Sequence, residues 1–162
     1  MRRFLFILLL AIPFYSYAAN LGLSWVFPHK RLKSGVENGI EISVKMPLIH
    51  SEFLLEPFLD LAFTPIYGDS LDSLFLLILK PMIGVSITIP PLLGFDFNPY
   101  FETGLTPYFI KDLGEKHGNY VYGMELGLSV YRGRTGLQYG LTMLLGGKKS
   151  NIYSTLGLSC RL

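Results

Sequence analysis

The chain has 162 residues, 50% of them apolar, with 14 Lys and Arg against 12 Asp and Glu and one cysteine, Cys160. A single cysteine excludes an internal disulfide in any redox compartment. The length suits one domain, and the nearly balanced charge argues against a nucleic-acid partner.

At the N-terminus, Arg2 and Arg3 precede an apolar run from Phe4 to Pro13, and small residues follow at Ser16 and Ala18. Basic start, short apolar core and small residues predict a secretory signal, residues 1–18, cut after Ala18. An uncut membrane helix needs about 20 apolar residues, and this core has roughly half that. Ala19, not a cysteine, stands directly after the cut, which argues against a lipoprotein anchor. The remainder, residues 19–162, is one expected domain. Loss of Arg2 and Arg3 takes the basic count from 14 to 12, equal to the acids.

From Ala19 onward, apolar and polar residues alternate in eight runs, the period-two signature of strands with two different faces. In the first, Leu21, Leu23, Trp25 and Phe27 oppose Asn20, Gly22 and Ser24. In the second, Ile40, Ile42, Val44 and Met46 oppose Glu41, Ser43 and Lys45. The third, Phe53 to Thr64, sets Leu55, Leu59, Leu61 and Phe63 against Glu56, Asp60, Ala62 and Thr64.

The fourth run, Leu74 to Ile89, is long and apolar enough to suggest a membrane helix. It contains Lys80 and Pro81, however, and from Met82 onward Gly84, Ser86 and Thr88 interleave with Ile83, Val85, Ile87 and Ile89. A lysine at the centre of a membrane helix costs about 2.5–3.5 kcal/mol, whereas on a strand facing a polar lumen it costs little. The segment reads as a strand and a tight turn.

In the fifth run, Phe97 to Tyr108, Phe101, Thr103 and Leu105 oppose Asn98, Tyr100, Glu102, Gly104 and Thr106. The sixth sets Tyr122, Met124, Leu126, Leu128 and Val130 against Gly123, Glu125, Gly127 and Ser129. The seventh sets Leu137, Tyr139, Leu141 and Met143 against Gly136, Gln138, Gly140 and Thr142. The eighth sets Ile152, Leu156, Leu158, Cys160 and Leu162 against Tyr153, Thr155, Gly157, Ser159 and Arg161.

Charged residues within these runs share a parity with glycine and serine. That polarity predicts lipid outside and a polar lumen inside, an all-β, eight-stranded antiparallel up-and-down transmembrane barrel in the bacterial outer membrane. A soluble lipocalin-like barrel would be apolar inside. Inward glycines (Gly84, Gly104, Gly123, Gly127, Gly140 and Gly157) fit a narrow, sharply curved wall. Long connections are expected at Pro28 to Gly39, Pro65 to Ser73 and Ile110 to Gly118. Short ones are expected at Leu48 to Ser51, Pro90 to Gly94, Arg132 to Arg134 and Gly146 to Ser150. Long loops and the short Gly146 to Ser150 hairpin outside, with the other short turns in the periplasm, would put both termini in the periplasm. Trp25, Phe27, Phe63, Tyr67, Phe95, Tyr108, Tyr120 and Tyr131 are candidates for interfacial girdles.

Glu41, Lys45, Glu56, Asp60, Lys80, Glu102, Glu125 and Arg161 would all point into the lumen. The expectation is a charge network that plugs it, because eight strands leave room only for side chains. Basic residues of the outer loops are candidate contacts for lipopolysaccharide phosphates: Lys30, Arg31, Lys33, Lys111, Lys116, Lys148 and Lys149. No cluster has metal-ligand spacing, and no metal or cofactor is expected.

The run Asn98 to Leu105 and the tail Ser154 to Leu162 resemble the small eight-stranded outer-membrane barrels of the OmpA/OmpX type and, in layout, the lipid A deacylase family. The resemblance implies insertion by the outer-membrane assembly machinery and a monomer among outer-membrane lipid. Members commonly end in an aromatic residue, where this chain has Leu162. The deacylase family carries a His-x-Ser-Asn motif near the end of its seventh strand, with the His activating the Ser. This chain has Lys148, Lys149, Ser150 and Asn151, a lysine in place of the histidine. Matching by strand position instead puts Met143 and Leu145 at the His and Ser places. Ser150 and Lys148 are therefore only weak catalytic candidates. His29, His50 and His117 fall in predicted loops or turns, and no Ser–His pair is expected.

The expected function is a structural or surface-binding role in the outer membrane without catalysis. The alternatives are a divergent lipid-modifying enzyme of deacylase type or a narrow ion channel.

Overall fold

The computed structural model describes residues 19–29, 36–48, 54–68, 74–112, 115–146 and 151–162. The expected signal, His50, Lys30, Arg31, Lys33, Lys148, Lys149 and Ser150 lie outside them. Among the described residues nine strands form: β1 (Asn20–Pro28), β2 (Val36–Pro47), β3 (Leu55–Gly68), β4 (Leu74–Ile87), β5 (Ile89–Leu92), β6 (Phe95–Asp112), β7 (Glu115–Arg132), β8 (Thr135–Leu145) and β9 (Asn151–Arg161). β5 continues β4 past an irregularity at Thr88, and both pair with β6. The result is a closed, all-antiparallel barrel of eight staves, with β1 hydrogen-bonded to both β2 and β9 and the β4–β6 ladder completing the circuit. Closure gives each stave a neighbour on both sides.

Alternation in the sequence becomes alternation of exposure because successive strand residues point to opposite faces. On β1, Leu23 and Trp25 are more than half exposed (56% and 51%), while Gly22, Ser24 and Val26 are buried. β8 alternates in the same way along almost its whole length. Met46 departs from the expected pattern. It keeps the outer register, opposite Leu59, yet is only 7% exposed.

The connections differ from expectation more than the strands do. β3 runs on to Gly68, and β6 and β7 run on until Asp112 pairs with Glu115, so the expected long loop from Ile110 to Gly118 is mostly ladder. Lys111, Asp112, Glu115 and Lys116 hide this in the sequence, since polar residues on both faces erase the alternation. β6 and β7 have 18 residues each, roughly 60 Å of strand, whereas a membrane crossing needs about 9–11 residues. β1 has 9 residues, so the wall is much taller on one side.

At the opposite rim, where Leu162 N donates to Ala19 O (2.9 Å) and both ends of the described barrel meet, two hairpins close with two residues each. Leu93 (φ 54°) and Gly94 (φ 80°) both take left-handed backbone conformations, as a type I′ turn demands. In the Gly133–Arg134 turn only Gly133 does (φ 65°), the type II′ pattern. The strand before the first turn reaches Leu92, past the expected break at Pro90.

The β4–β6 ladder has a gap. Pairing runs from Leu74↔Asp112 to Ile78↔Tyr108, stops, and resumes in the same register at Ile83↔Thr103. Pro81 and Pro107 lie in the interval, and neither has an N–H to donate.

Candidate functional site

The lumen is filled in layers. Nearest the loop rim, Val26, Ile66, Ile78, Val121, Leu144 and Tyr153 pack into an apolar seal, with Tyr108 against it. Tyr108 therefore does not belong to an outer girdle. Nor does Tyr131, which is 3% exposed and turned inward, whereas Trp25, Phe27, Phe63, Phe95 and Tyr120 are on the outside.

Below the seal, Lys80 Nζ from β4 reaches Glu125 Oε2 of β7 at 2.7 Å and Glu41 Oε2 of β2 at 2.8 Å. All three residues are 1% exposed. Thr64 Oγ1 donates to Glu41 Oε2 (2.8 Å), Thr142 Oγ1 to Glu125 Oε2 (2.6 Å) and the Tyr100 hydroxyl to Glu125 Oε1 (2.8 Å). Each carboxylate thus takes an ammonium and at least one hydroxyl, the pairing that a charge withdrawn from water requires.

One layer further from the seal, Lys45 Nζ lies 3.3 Å from Glu102 Oε2 and 3.6 Å from Asp60 Oδ2. It sits 3.3 Å from the centre of the Tyr100 ring, with Phe58 packed edge-on against that ring. Tyr100 links the layers: its face receives the Lys45 cation and its hydroxyl serves Glu125. This second layer is less complete. Asp60 Oδ1 and Glu102 Oε1 have no hydrogen-bond partner among the described residues. Across both layers four carboxyl groups (Glu41, Asp60, Glu102, Glu125) face two ammonium groups (Lys45, Lys80).

Glycine makes room for the plug. A Cβ at Gly127 would run into the Tyr100 ring, and one at Gly140 would meet Glu125 Oε1 at 2.5 Å.

Of the eight charged residues expected inside, these six meet in the middle of the barrel. Arg161 is instead at the mouth by the chain ends, bonded to Asp96 Oδ2 (2.7 Å) and stacked 3.9 Å from Tyr131. Half-buried Glu56 lines the same mouth, a cavity of about 400 Å³ with Asn98, Ser129 and Arg161 also in its wall and Lys45 and Tyr100 deeper in. Sequence reading missed the Asp96 contact and the joining role of Tyr100, although Tyr100 carried the inward parity. Lys111 and Lys116 are paired positions of the β6–β7 ladder near its tip. Among the described residues, no three His, Cys, Asp or Glu come together in a way that could hold a metal ion.

One expectation is overturned. A serine and a histidine do meet, on the outside of the barrel: His29 Nε2 lies 2.5 Å from Ser154 Oγ, and the Tyr139 hydroxyl lies 3.2 Å from the same oxygen. His29 lies in the connection just past β1, as expected, but its N–H donates to Ile152 O (2.9 Å), which carries β1's pairing with β9 one residue beyond Pro28 and sets the ring on the outward register.

No family model and no curated protein matches the chain. Solved structures do match. The N-terminal β-barrel domain of Pseudomonas aeruginosa OprF aligns with TM-score 0.66 at 12% identity, covering 91% of this chain and 98% of that one. Neisserial surface protein A aligns with TM-score 0.58 at 13% identity, covering 90% and 95%. The outer membrane enzyme PagL aligns with TM-score 0.53 at 12% identity, covering 87% and 98%. The fold is that of the small eight-stranded outer-membrane barrels, a scaffold these structures show hosting at least one enzyme.

Proposed function

We propose that the protein resides in the bacterial outer membrane, exported with residues 1–18 as its signal, and serves there as a plugged barrel with a structural or surface-binding role. The membrane reading rests on the outer surface, where Leu23, Leu126, Leu158 and Leu105 are each more than half exposed on different strands. So apolar a girdle around a whole barrel belongs in hydrocarbon. The chain ends then lie in the periplasm, and the tall β3–β4 and β6–β7 walls rise on the cell surface. There Lys111 and Lys116, with Lys30, Arg31, Lys33, Lys148 and Lys149 of the neighbouring connections, are the groups to meet lipopolysaccharide phosphates.

The observation that carries the reading is the cross-section at Lys80, filled by Glu41, Glu125, Thr64 and Thr142 and capped by the apolar seal. A lumen so filled disfavours conduction, which leaves the exterior and the rims as working surfaces. The test is reconstitution of the refolded barrel in planar bilayers containing lipopolysaccharide. No unit conductance is expected, and a deletion strain should become more sensitive to detergent. Regular conductance steps from the pure protein would overturn the reading.

A further inference from the structure

The outward face of the barrel is almost entirely apolar, and polar groups exposed to lipid must find partners. Thr103 shows the ordinary solution: on the outer register of β6, its Oγ1 donates to the backbone carbonyl of Gly123 at 2.9 Å. Ser154 is held differently. Its hydroxyl lies between two side chains from the flanking strands, His29 beyond β1 and Tyr139 on β8. The directly opposed residues are Phe27 and Leu141, so a nucleophile and base pair is set into a greasy surface.

We propose that Ser154 and His29 form a hydrolytic pair for acyl esters of membrane lipids, with Tyr139 as the donor to the developing oxyanion. A serine hydroxyl is a weak nucleophile until a base within hydrogen-bond reach takes its proton, and His29 Nε2 stands at 2.5 Å. Ser154 is 6% exposed and lies beneath the two rings, whereas His29 and Tyr139 are exposed, so rotation of a ring opens the hydroxyl to the lipid side. The site is at the loop-rim end of the β1–β9 ladder, next to the last pair, Pro28↔Tyr153. Exposed Trp25 and Tyr139 lie nearby, and such aromatics favour the headgroup boundary, where ester bonds of lipids are found. Leu156 and Leu158, each more than half exposed, continue down the same strand and offer a track for the acyl chain.

In the reaction, Ser154 Oγ bonds to the ester carbonyl carbon as its proton passes to His29 Nε2. The carbonyl oxygen takes the negative charge and a hydrogen bond from the Tyr139 hydroxyl. Breakage of the bond to the leaving alcohol, which takes the proton from His29, leaves an acyl-serine. Water then adds with His29 again holding the proton, and free fatty acid and Ser154 are released. This places chemistry on the exterior of the barrel, on residues other than Lys148 to Asn151.

The test uses the full mature barrel, refolded in detergent and verified by its heat-dependent migration. It is mixed separately with phosphatidylethanolamine micelles and with lipopolysaccharide, and released fatty acid is measured by mass spectrometry. The folded wild type should release fatty acid in at least one arm, and the arm identifies the lipid. Ser154→Ala should abolish release. His29→Gln should reduce it about 100-fold or more, and Tyr139→Phe by roughly the same factor, with migration unchanged. A fluorophosphonate should label Ser154 in the wild type and spare Ser154→Ala. Absence of both release and labelling from a folded barrel, or release that survives Ser154→Ala, would overturn the proposal.

Discussion

Lys80 and Glu125 meet at 2.7 Å in the centre of the barrel with both side chains 1% exposed, and Glu41 completes the group from the other side of the ammonium. Removing the cation alone would leave two buried carboxylates without a counter-charge. Lys80→Met is therefore expected to destabilise the barrel by about 3–5 kcal/mol, the usual penalty for breaking a buried pair from one side. The single tryptophan, Trp25 on the outer face, provides the signal for a urea titration in detergent. A midpoint unchanged from wild type would show that the plug adds nothing to stability.

The two buried glutamates of β6 and β7 should respond oppositely to loss of charge. Glu125 accepts from Lys80, Thr142 and Tyr100, while one oxygen of Glu102 has no partner among the described residues. Glu125→Gln is expected to cost about 1–3 kcal/mol through unsatisfied donors. Glu102→Gln removes one charge from a group with four carboxyls and two ammoniums, and should be neutral or stabilising. Equal losses from both variants in the same titration would refute the distinction.

Gly127 has no room for a side chain, because Tyr100 occupies that space. Gly127→Val should push the ring away, break its bond to Glu125 and lower stability by about 1–3 kcal/mol or more. Changing the exposed neighbour Leu126 to valine should do little. The check is the pair of refolding yields and urea midpoints side by side.

Leu93 holds φ 54° in a turn where asparagine would be at ease. An Asn-Gly turn is the favoured type I′ pair, so Leu93→Asn should stabilise the barrel by about 1 kcal/mol. Because the side chain is 91% exposed, little packing is lost in exchange. A lower thermal midpoint for the variant would contradict this account.

The faces of the strands were legible in the sequence because period two survives wherever one side is apolar. Glu41 and Lys45 between Ile40, Ile42 and Val44 could hardly be placed otherwise. Legibility ended where that contrast ended: around Lys111 to Lys116 both faces are polar, and the ladder continues unseen. Contacts between distant strands were not legible either. His29 and Ser154 are 125 residues apart and meet only because the first and last strands close the barrel. Arg161 and Asp96 meet from staves on different sides of the mouth. Aromatic residues misled for a related reason, since Tyr131 and Tyr108 fit a girdle by position along the strand but turn inward by register.

The paired two-residue turns at Leu93–Gly94 and Gly133–Arg134 give the molecule a handle. A biotin coupled at position 93 would project into solvent beyond the wall, well away from the tall β6–β7 hairpin and from His29. Barrels captured this way would all stand with the same rim upward, so a sensor surface could present the tall wall to candidate ligands in a single orientation.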